Sequence, residues 1–213
     1  RYGKFSCDPN VRGLKQDYPI NAEESCITPV NFNAVGGSTI NFLGHWPRMK
    51  PSDFRTHSLD GVGADWPVDY ETLAPFYDRN DCNTGVSGLG GNPAYPDYTP
   101  ELPPIPIGKL GQTLAKGFNA KGYHWWPSDV SILSQDHDGR QKCVNAGTCD
   151  LGCAAGAKGG TNFTYWPTLE NAGVELRTGA RVREILVDES TGFATGVLYH
   201  GVDGLVHEQH AEL

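Results

Sequence analysis

Three cysteines, Cys143, Cys149 and Cys153, fall within eleven residues of a 213-residue chain that holds six in all. Thiols pair as disulfides, bind metal or stay buried as small apolar groups. The spacing Cys-x5-Cys-x3-Cys is a poor zinc pattern, because zinc sites present pairs about two to four residues apart and a full tetrahedral set. Only Cys149 and Cys153 are that close, and the missing ligand would have to be a distant residue such as His137. The run is nearer to bacterial iron–sulfur ligation, C-x2-C-x2-C-x3-C, with Ala146 in the second position. A cluster lacking one iron needs only three thiolates, so these three cysteines are the metal-ligand candidates. Buried thiols and disulfides stay open beside that reading. Cys7, Cys26 and Cys82 share no such spacing and read as core residues, or as one disulfide and a spare thiol.

The segment "VGGST", Val35 to Thr39, is the second candidate. Paired glycines let a backbone pass close to a ligand, and Ser38 and Thr39 can donate to phosphate or ring oxygens. A plain turn is the competing reading. No G-x-G-x-x-G and no P-loop occurs in the chain. Among the seven histidines, His45 in "LGHWPR" lies nearest the glycine pair, where a structural histidine is the alternative. His200, His207 and His210 read as solvated strand residues, and "HWWP", His124 to Pro127, as an aromatic packing clump.

The elements that position these residues are partly legible. "DYETLAPFYDRND" puts Tyr70, Leu73, Ala74 and Tyr77 on one helical face, with Asp69 as N-cap and Pro75 as a point of kinking. Residues 83–106, rich in Gly and Pro, predict a surface excursion without regular structure. Ile107, Leu110, Leu114 and Phe118 recur at helical spacing, with Gly122 as the stop. Residues 124–142 read as loop and extended chain. A further helix is expected from Thr161 to Gly173. The period then changes to two, and "VELRT", "RVREILVDE", "ATGVLYHG" and "LVHEQHAEL" predict four strands, with turns at Thr191-Gly192 and Asp203-Gly204. The whole is a loop-rich mixed α/β architecture.

A formal net charge of −8 and the absence of any Lys/Arg run disfavour nucleic-acid binding. No stretch is long and apolar enough to span a membrane, and no signal peptide is visible. The compartment, cytoplasmic or periplasmic, is left open. The chain starts at Arg1 and stops at "HEQHAEL", inside a strand-like pattern whose backbone groups would be left open. That predicts a piece of a longer protein.

Six segments in order carry a resemblance: "NAVGGSTINFLGHWPRMKPSDF", "DGVGADWPVDYETLAPFYD", "GVSGLGGNP", "HWWPSDVSILSQDHDGR", "CVNAGTCDLGCAAGAKGGTNFTYWP" and "VELRTGARVREILVD". Together they resemble the glucose–methanol–choline (GMC) family of flavin oxidoreductases, nearest its bacterial gluconate and glucose dehydrogenase branch. The resemblance implies a Rossmann-like FAD-binding domain with a β-meander, and part of a substrate domain resting on it. Residues 1–64 would hold the first FAD segment and its lid loop, 65–142 a substrate-domain segment, and 143–213 the cysteine run, a helix and FAD-domain strands. It implies oxidation of a small alcohol, sugar or sugar acid, with hydride passing to FAD.

Gly36, Gly37, Ser38 and Thr39 match the segment that passes the flavin, and Val182 matches a strand position that offers its main chain to the adenine. Relatives often read GGST-x-x-N. Here Asn41 comes one residue early and Phe42 fills the usual place, so His45 is the candidate to take over part of that contact. In the glucose dehydrogenase branch, cysteines at this spacing hold a three-iron, four-sulfur cluster that feeds a partner cytochrome. Cys143, Cys149 and Cys153 match them. The family's G-x-G-x-x-G would lie before Arg1 and its catalytic histidine beyond Leu213, so no catalytic residue is assigned. Two alternatives compete: a non-catalytic binding module stabilised by zinc or a disulfide, and a cluster-free alcohol oxidase of the same family.

Overall fold

Short-range capping chemistry fixes the helices. The Asp69 carboxylate accepts from the Thr72 amide at 2.9 Å and the Thr72 hydroxyl at 2.6 Å, which satisfies a first-turn amide that the helix itself leaves open. The computed structural model describes residues 23–27, 32 and 34–211. In order, its α-helices are α1 (Thr56–Asp60), α2 (Tyr70–Thr84), α3 (Gly108–Lys121), α4 (Thr161–Thr164) and α5 (Trp166–Asn171). Pro75 lies inside α2 without ending it, and the helix runs past the expected Asp81 to stop at left-handed Gly85. α3 ends at left-handed Gly122, as the sequence predicts, but Leu110, Leu114 and Phe118 stay exposed and Ala115 is its buried residue. The single helix expected over 161–173 is two pieces, broken at Tyr165. Pro167 has no amide to donate back to Phe163, and it disfavours helical backbone at Trp166.

The chain divides into two units, Arg1–Thr168 and Leu169–Leu213. In the first, residues 129–133 form an axis to which distant segments add by short main-chain bridges. Ser87 and Val130 exchange hydrogen bonds at 2.8 and 2.9 Å, and Val86 and Gly88 do the same with Leu102 at 2.9 and 3.0 Å. The Ser131 amide donates to Gly44, the Leu133 amide to Ala157, and the Gly159 amide to Ser131. The Ser87 hydroxyl, fully buried, donates to the Ile132 carbonyl at 2.6 Å and accepts from the Ser134 amide at 3.0 Å.

The surface excursion expected over 83–106 is corrected at both ends. Val86, Ser87, Gly88 and Leu102 are buried, and they help build this unit's interior. Glycine there serves close approach: a Cβ on Gly88 would run into the Asp129 carboxylate. Leu102, Leu133 and Ala157 form a small apolar core.

The second unit is an antiparallel meander, β1 (Arg181–Val187), β2 (Ala194–His200) and β3 (Val206–His210), in the order β1-β2-β3. "VELRT", expected as a fourth strand, does not join it. Its Arg177 instead reaches the sheet by side chain, 3.3 Å from the Tyr199 hydroxyl and 3.1 Å from Gln209 Oε1. Both expected turns form, with Asp188 accepting from the amides of Ser190 and Thr191, and Asp203 from that of Leu205. His207 is bonded as well as partly exposed: Nε2 lies 2.9 Å from Asp203, and the ring stacks on Tyr199 at 5.3 Å. Cys26 and Cys82 are exposed free thiols, which corrects their assignment to core or disulfide; Cys7 lies outside the described residues.

Leu133 is fully buried and Leu110 is 75% exposed. Leu133→Ala is expected to cost about 3 kcal/mol of unfolding free energy, against under about 0.5 for Leu110→Ala. Paired denaturant titrations measure the difference.

Candidate cofactor-binding site

The glycine pair opens a tight 3-10 turn, Gly37–Ile40, with Gly36 at φ 98° and Gly37 at φ 54°. The two glycines have different work. A Cβ on Gly36 would sit 2.9 Å from Asn162 Cβ, so Gly36 is there for packing. Among the described residues, a Cβ on Gly37 would meet nothing nearer than the Phe32 carbonyl at 3.9 Å, so Gly37 is the less crowded of the two. Thr39 Oγ1 donates to the Gly36 carbonyl at 2.5 Å and accepts from the Thr161 amide at 3.1 Å. Thr161 Oγ1 donates to the same carbonyl at 3.2 Å. Ser38, exposed, accepts from the Phe32 amide at 3.3 Å.

Lys158 completes the attachment. Its side chain is 1% exposed, and Nζ donates to the carbonyls of Ile40 at 2.6 Å, Phe42 at 2.7 Å and Cys149 at 2.5 Å. Nζ also lies 4.9 Å from the centre of the Phe42 ring. A cavity of about 430 Å3 opens beside these groups, its wall including Ile40, Leu151, Cys153, Lys158, Asn162 and Phe163. Asn162 Oδ1 is buried and has no hydrogen-bond partner. Neither Lys158, Thr161 nor Asn162 was singled out by spacing. The available signal was a lone lysine among small residues in "GAKGGT", since a lysine buried there must be paired.

Asn41 closes the turn by donating its amide to Ser38 at 3.1 Å. Phe42 packs edge-on against Trp46, ring centres 5.8 Å apart. His45 is exposed, and its Nδ1 lies 2.8 Å from the Ser128 hydroxyl, across a backbone bridge to Val130. It borders a second hollow of about 290 Å3, which also involves Trp46, Arg48, Tyr77 and Asp81. Val182 belongs to the second unit, in β1 opposite Tyr199 and 54% exposed. Among the described residues β1 is an edge strand of the sheet, bonded to β2 on one side.

Behind His45 lies a buried charge network. Arg48 is 5% exposed. Its Nε and Nη2 bond Asp81 at 3.0 and 2.6 Å, Nη2 also bonds Asp78 at 2.7 Å, and the guanidinium lies 4.1 Å from the Tyr98 ring centre. Burial acts to discharge Arg48, but the hydrogen bonds it donates to the Asp78 and Asp81 carboxylates outweigh it and hold its pKa above the ordinary value. Burial raises Asp81 despite Arg48, and raises Asp129 despite the Tyr98 hydroxyl that donates to it.

The cysteines are not gathered as the spacing suggests. Among the described residues, no three His, Cys, Asp or Glu side chains come together as a metal-holding group, and Cys143, Cys149 and Cys153 are all described. Cys143 and Cys153 pack against the Leu102–Leu133–Ala157 core. Cys149 starts a short 3-10 turn, and its carbonyl is taken by Lys158. All three are free thiols. The expected three-thiolate cage for an iron–sulfur cluster is thus not assembled in this structure, and no step is derived through one.

A family model described as GMC oxidoreductase matches residues 104–212. The chain belongs to the GMC oxidoreductase family. It is 44% identical, over 98% of its length, to 2-methyl-1,2-propanediol dehydrogenase of Mycolicibacterium austroafricanum. It is 32% identical over 58% of its length to the fructose dehydrogenase large subunit of Gluconobacter japonicus. To paromamine 6'-oxidase of Streptomyces fradiae it is 30% identical over 75%. The chain spans 38%, 23% and 30% of the lengths of these relatives.

Family membership implies FAD. The residues present fit it: a left-handed glycine turn leads into Ile40, which with Lys158 and Asn162 walls a cavity of mixed apolar and polar lining, and this suits a planar group with polar edges. Among the described residues no helix is long and apolar enough to cross a membrane.

Gly36→Ala is expected to destabilise by about 2–3 kcal/mol, from contact with Asn162 added to a left-handed backbone, and Gly37→Ala by about 1 kcal/mol from the backbone alone. Thermal melts rank the two. Asp129→Asn keeps an acceptor for Tyr98 and removes the buried charge. Because the folded pKa of Asp129 is raised, its contribution is fully present below the ordinary carboxylate range and is lost as pH rises through the folded value. The melting temperature of Asp129→Asn relative to wild type should therefore climb from acid to neutral pH, and a flat or falling difference contradicts this.

Proposed function

We propose that this chain is the part of an FAD-dependent alcohol or sugar dehydrogenase that holds the flavin, with Gly36, Gly37, Ser38 and Thr39 facing it. One observation supports the reading: the left-handed turn at Gly36-Gly37 is bonded to Thr161 through the Gly36 carbonyl and ends at Ile40, which Lys158 holds and which lines the 430 Å3 cavity. Bound FAD supplies the two-electron acceptor for oxidation of CH–OH to C=O. The chain's own groups bind and orient: the turn's remaining main-chain groups and the Ser38 hydroxyl toward the anionic and carbonyl edges of the cofactor, with Asn162 in the cavity wall. His45, fixed through Nδ1 by Ser128, stands in for the shifted Asn41. Val182 offers edge-strand main chain to the adenine. None of these residues is assigned as the catalytic base.

The 44% identical relative is named for a small diol, so the proposed substrate is a short-chain alcohol or vicinal diol, with sugars as the next class. The same name and that of the fructose relative favour an electron acceptor other than oxygen, such as a cytochrome. The name of the paromamine relative supports an oxidase as the second reading.

The complete gene product should purify with flavin absorbance, and 1,2-diols should bleach it. Reduction of an artificial acceptor should exceed peroxide formation at least about tenfold; the reverse ratio establishes the oxidase. Gly37→Ala, folded but with a methyl added to the turn proposed to face the flavin, should lose FAD. Folded wild-type protein that takes up no FAD ends the proposal.

A further inference from the structure

The flavin reading uses the buried ammonium of Lys158 only as a tether of the turn, yet it also holds the cysteine loop. We infer that Lys158 is a positioning residue for the cofactor loop, acting through the main chain and transmitting the position of the cysteine loop to it; this rests on the flavin reading above. A lysine ammonium has three protons and no acceptor. Here it donates to three carbonyls in two segments that are far apart in sequence. Ile40 and Phe42 bracket Asn41, directly after the glycine turn. Cys149 opens the turn Cys149–Leu151, in the run that leads on to Cys153.

The side chain is held at its root as well as its tip. Lys158 bridges Ile132 through the main chain, its carbonyl accepts from Gly160 at 2.8 Å, and the next residue, Gly159, donates to Ser131. Gly159 has no room for a Cβ, which would lie 2.9 Å from the Thr84 carbonyl. The lysine is therefore a strut between the unit's axis and the cofactor loop. Carbonyls held inward on Nζ cannot turn to the cavity, and this fixes which backbone groups of residues 37–42 a cofactor can meet. Because Cys149 shares the ammonium, a displacement of the cysteine loop must be felt at Ile40 and Phe42.

The test uses the complete gene product, stripped of cofactor and titrated with FAD. Lys158→Met keeps the apolar stem and removes every donor. Lys158→Gln restores two donors on a shorter stem. Phe54→Leu, at a fully buried site packed on Trp66, lowers stability without touching the loop. Lys158→Met should weaken FAD binding about tenfold or more and alter the visible circular dichroism of the flavin that does bind. Lys158→Gln should recover part of both. Phe54→Leu, compared at equal loss of melting temperature, should keep affinity within about threefold and leave the dichroism unchanged. Should Lys158→Met fail to fold, Lys158→Gln alone against Phe54→Leu decides. Affinity and dichroism unchanged in the lysine variants, or equally changed in Phe54→Leu, overturns the positioning role while the flavin reading stands. Wild-type protein that binds no FAD overturns both.

Discussion

A buried ammonium is costly, by several kcal/mol after relaxation, unless its protons are all used. Lys158 meets that demand with main-chain carbonyls, and charge-assisted bonds of this kind are each worth about 1.5–3 kcal/mol. The choice of carbonyls matters. These carbonyls fix backbone, of the cofactor loop and the cysteine loop at once. The fixing propagates, because the main chain of residues 157–159 is bonded to residues 131–133, and Val130 to Ser87. Segments with no regular structure of their own are thus placed by one charge and a short ladder.

Features set by neighbours in sequence were legible. Asp69 opens α2, Gly122 ends α3, and the Asp188 and Asp203 turns shape the meander, because each uses groups within a few residues of itself. What was missed depends on distant partners. Ser87 pairs with Val130 and Leu102 in single bridges too short to leave an alternating pattern. The glycines at 85 and 88, which look like surface punctuation, permit close backbone passage instead. "VELRT" has the alternation of a strand but touches the sheet through Arg177 rather than through its main chain.

The candidate site divides in the same way. The glycine turn was legible as a motif, though not the division of labour within it, since Gly36 is reserved for Asn162, a residue far along the chain. The cysteine spacing pointed to a shared ligand set, but spacing constrains only the contour between thiols and leaves their directions free. Two of them turn to the apolar core, and the third lends its carbonyl to Lys158. That carbonyl is the structural link between the cysteine run and the glycine turn, and it would be the same whatever residue stood at 149.

Residues 36–48 are held at four successive points from outside: Gly36 by Thr161, Ile40 and Phe42 by Lys158, Gly44 by the Ser131 amide, and Arg48 by Asp78 and Asp81. A helix or strand would have used its backbone groups internally or on neighbouring strands. Here the carbonyls of Gly36, Ile40 and Phe42 are bound by side chains, that of Gly44 by a main-chain amide, and the Trp46 amide donates to Asp129, so the segment is fixed without a regular ladder of its own. Two of the tethers are cationic, Lys158 at the centre and Arg48 at the end. A loop held in this way is rigid without being regular, and that combination suits a surface that must meet a cofactor's polar edges in one fixed arrangement.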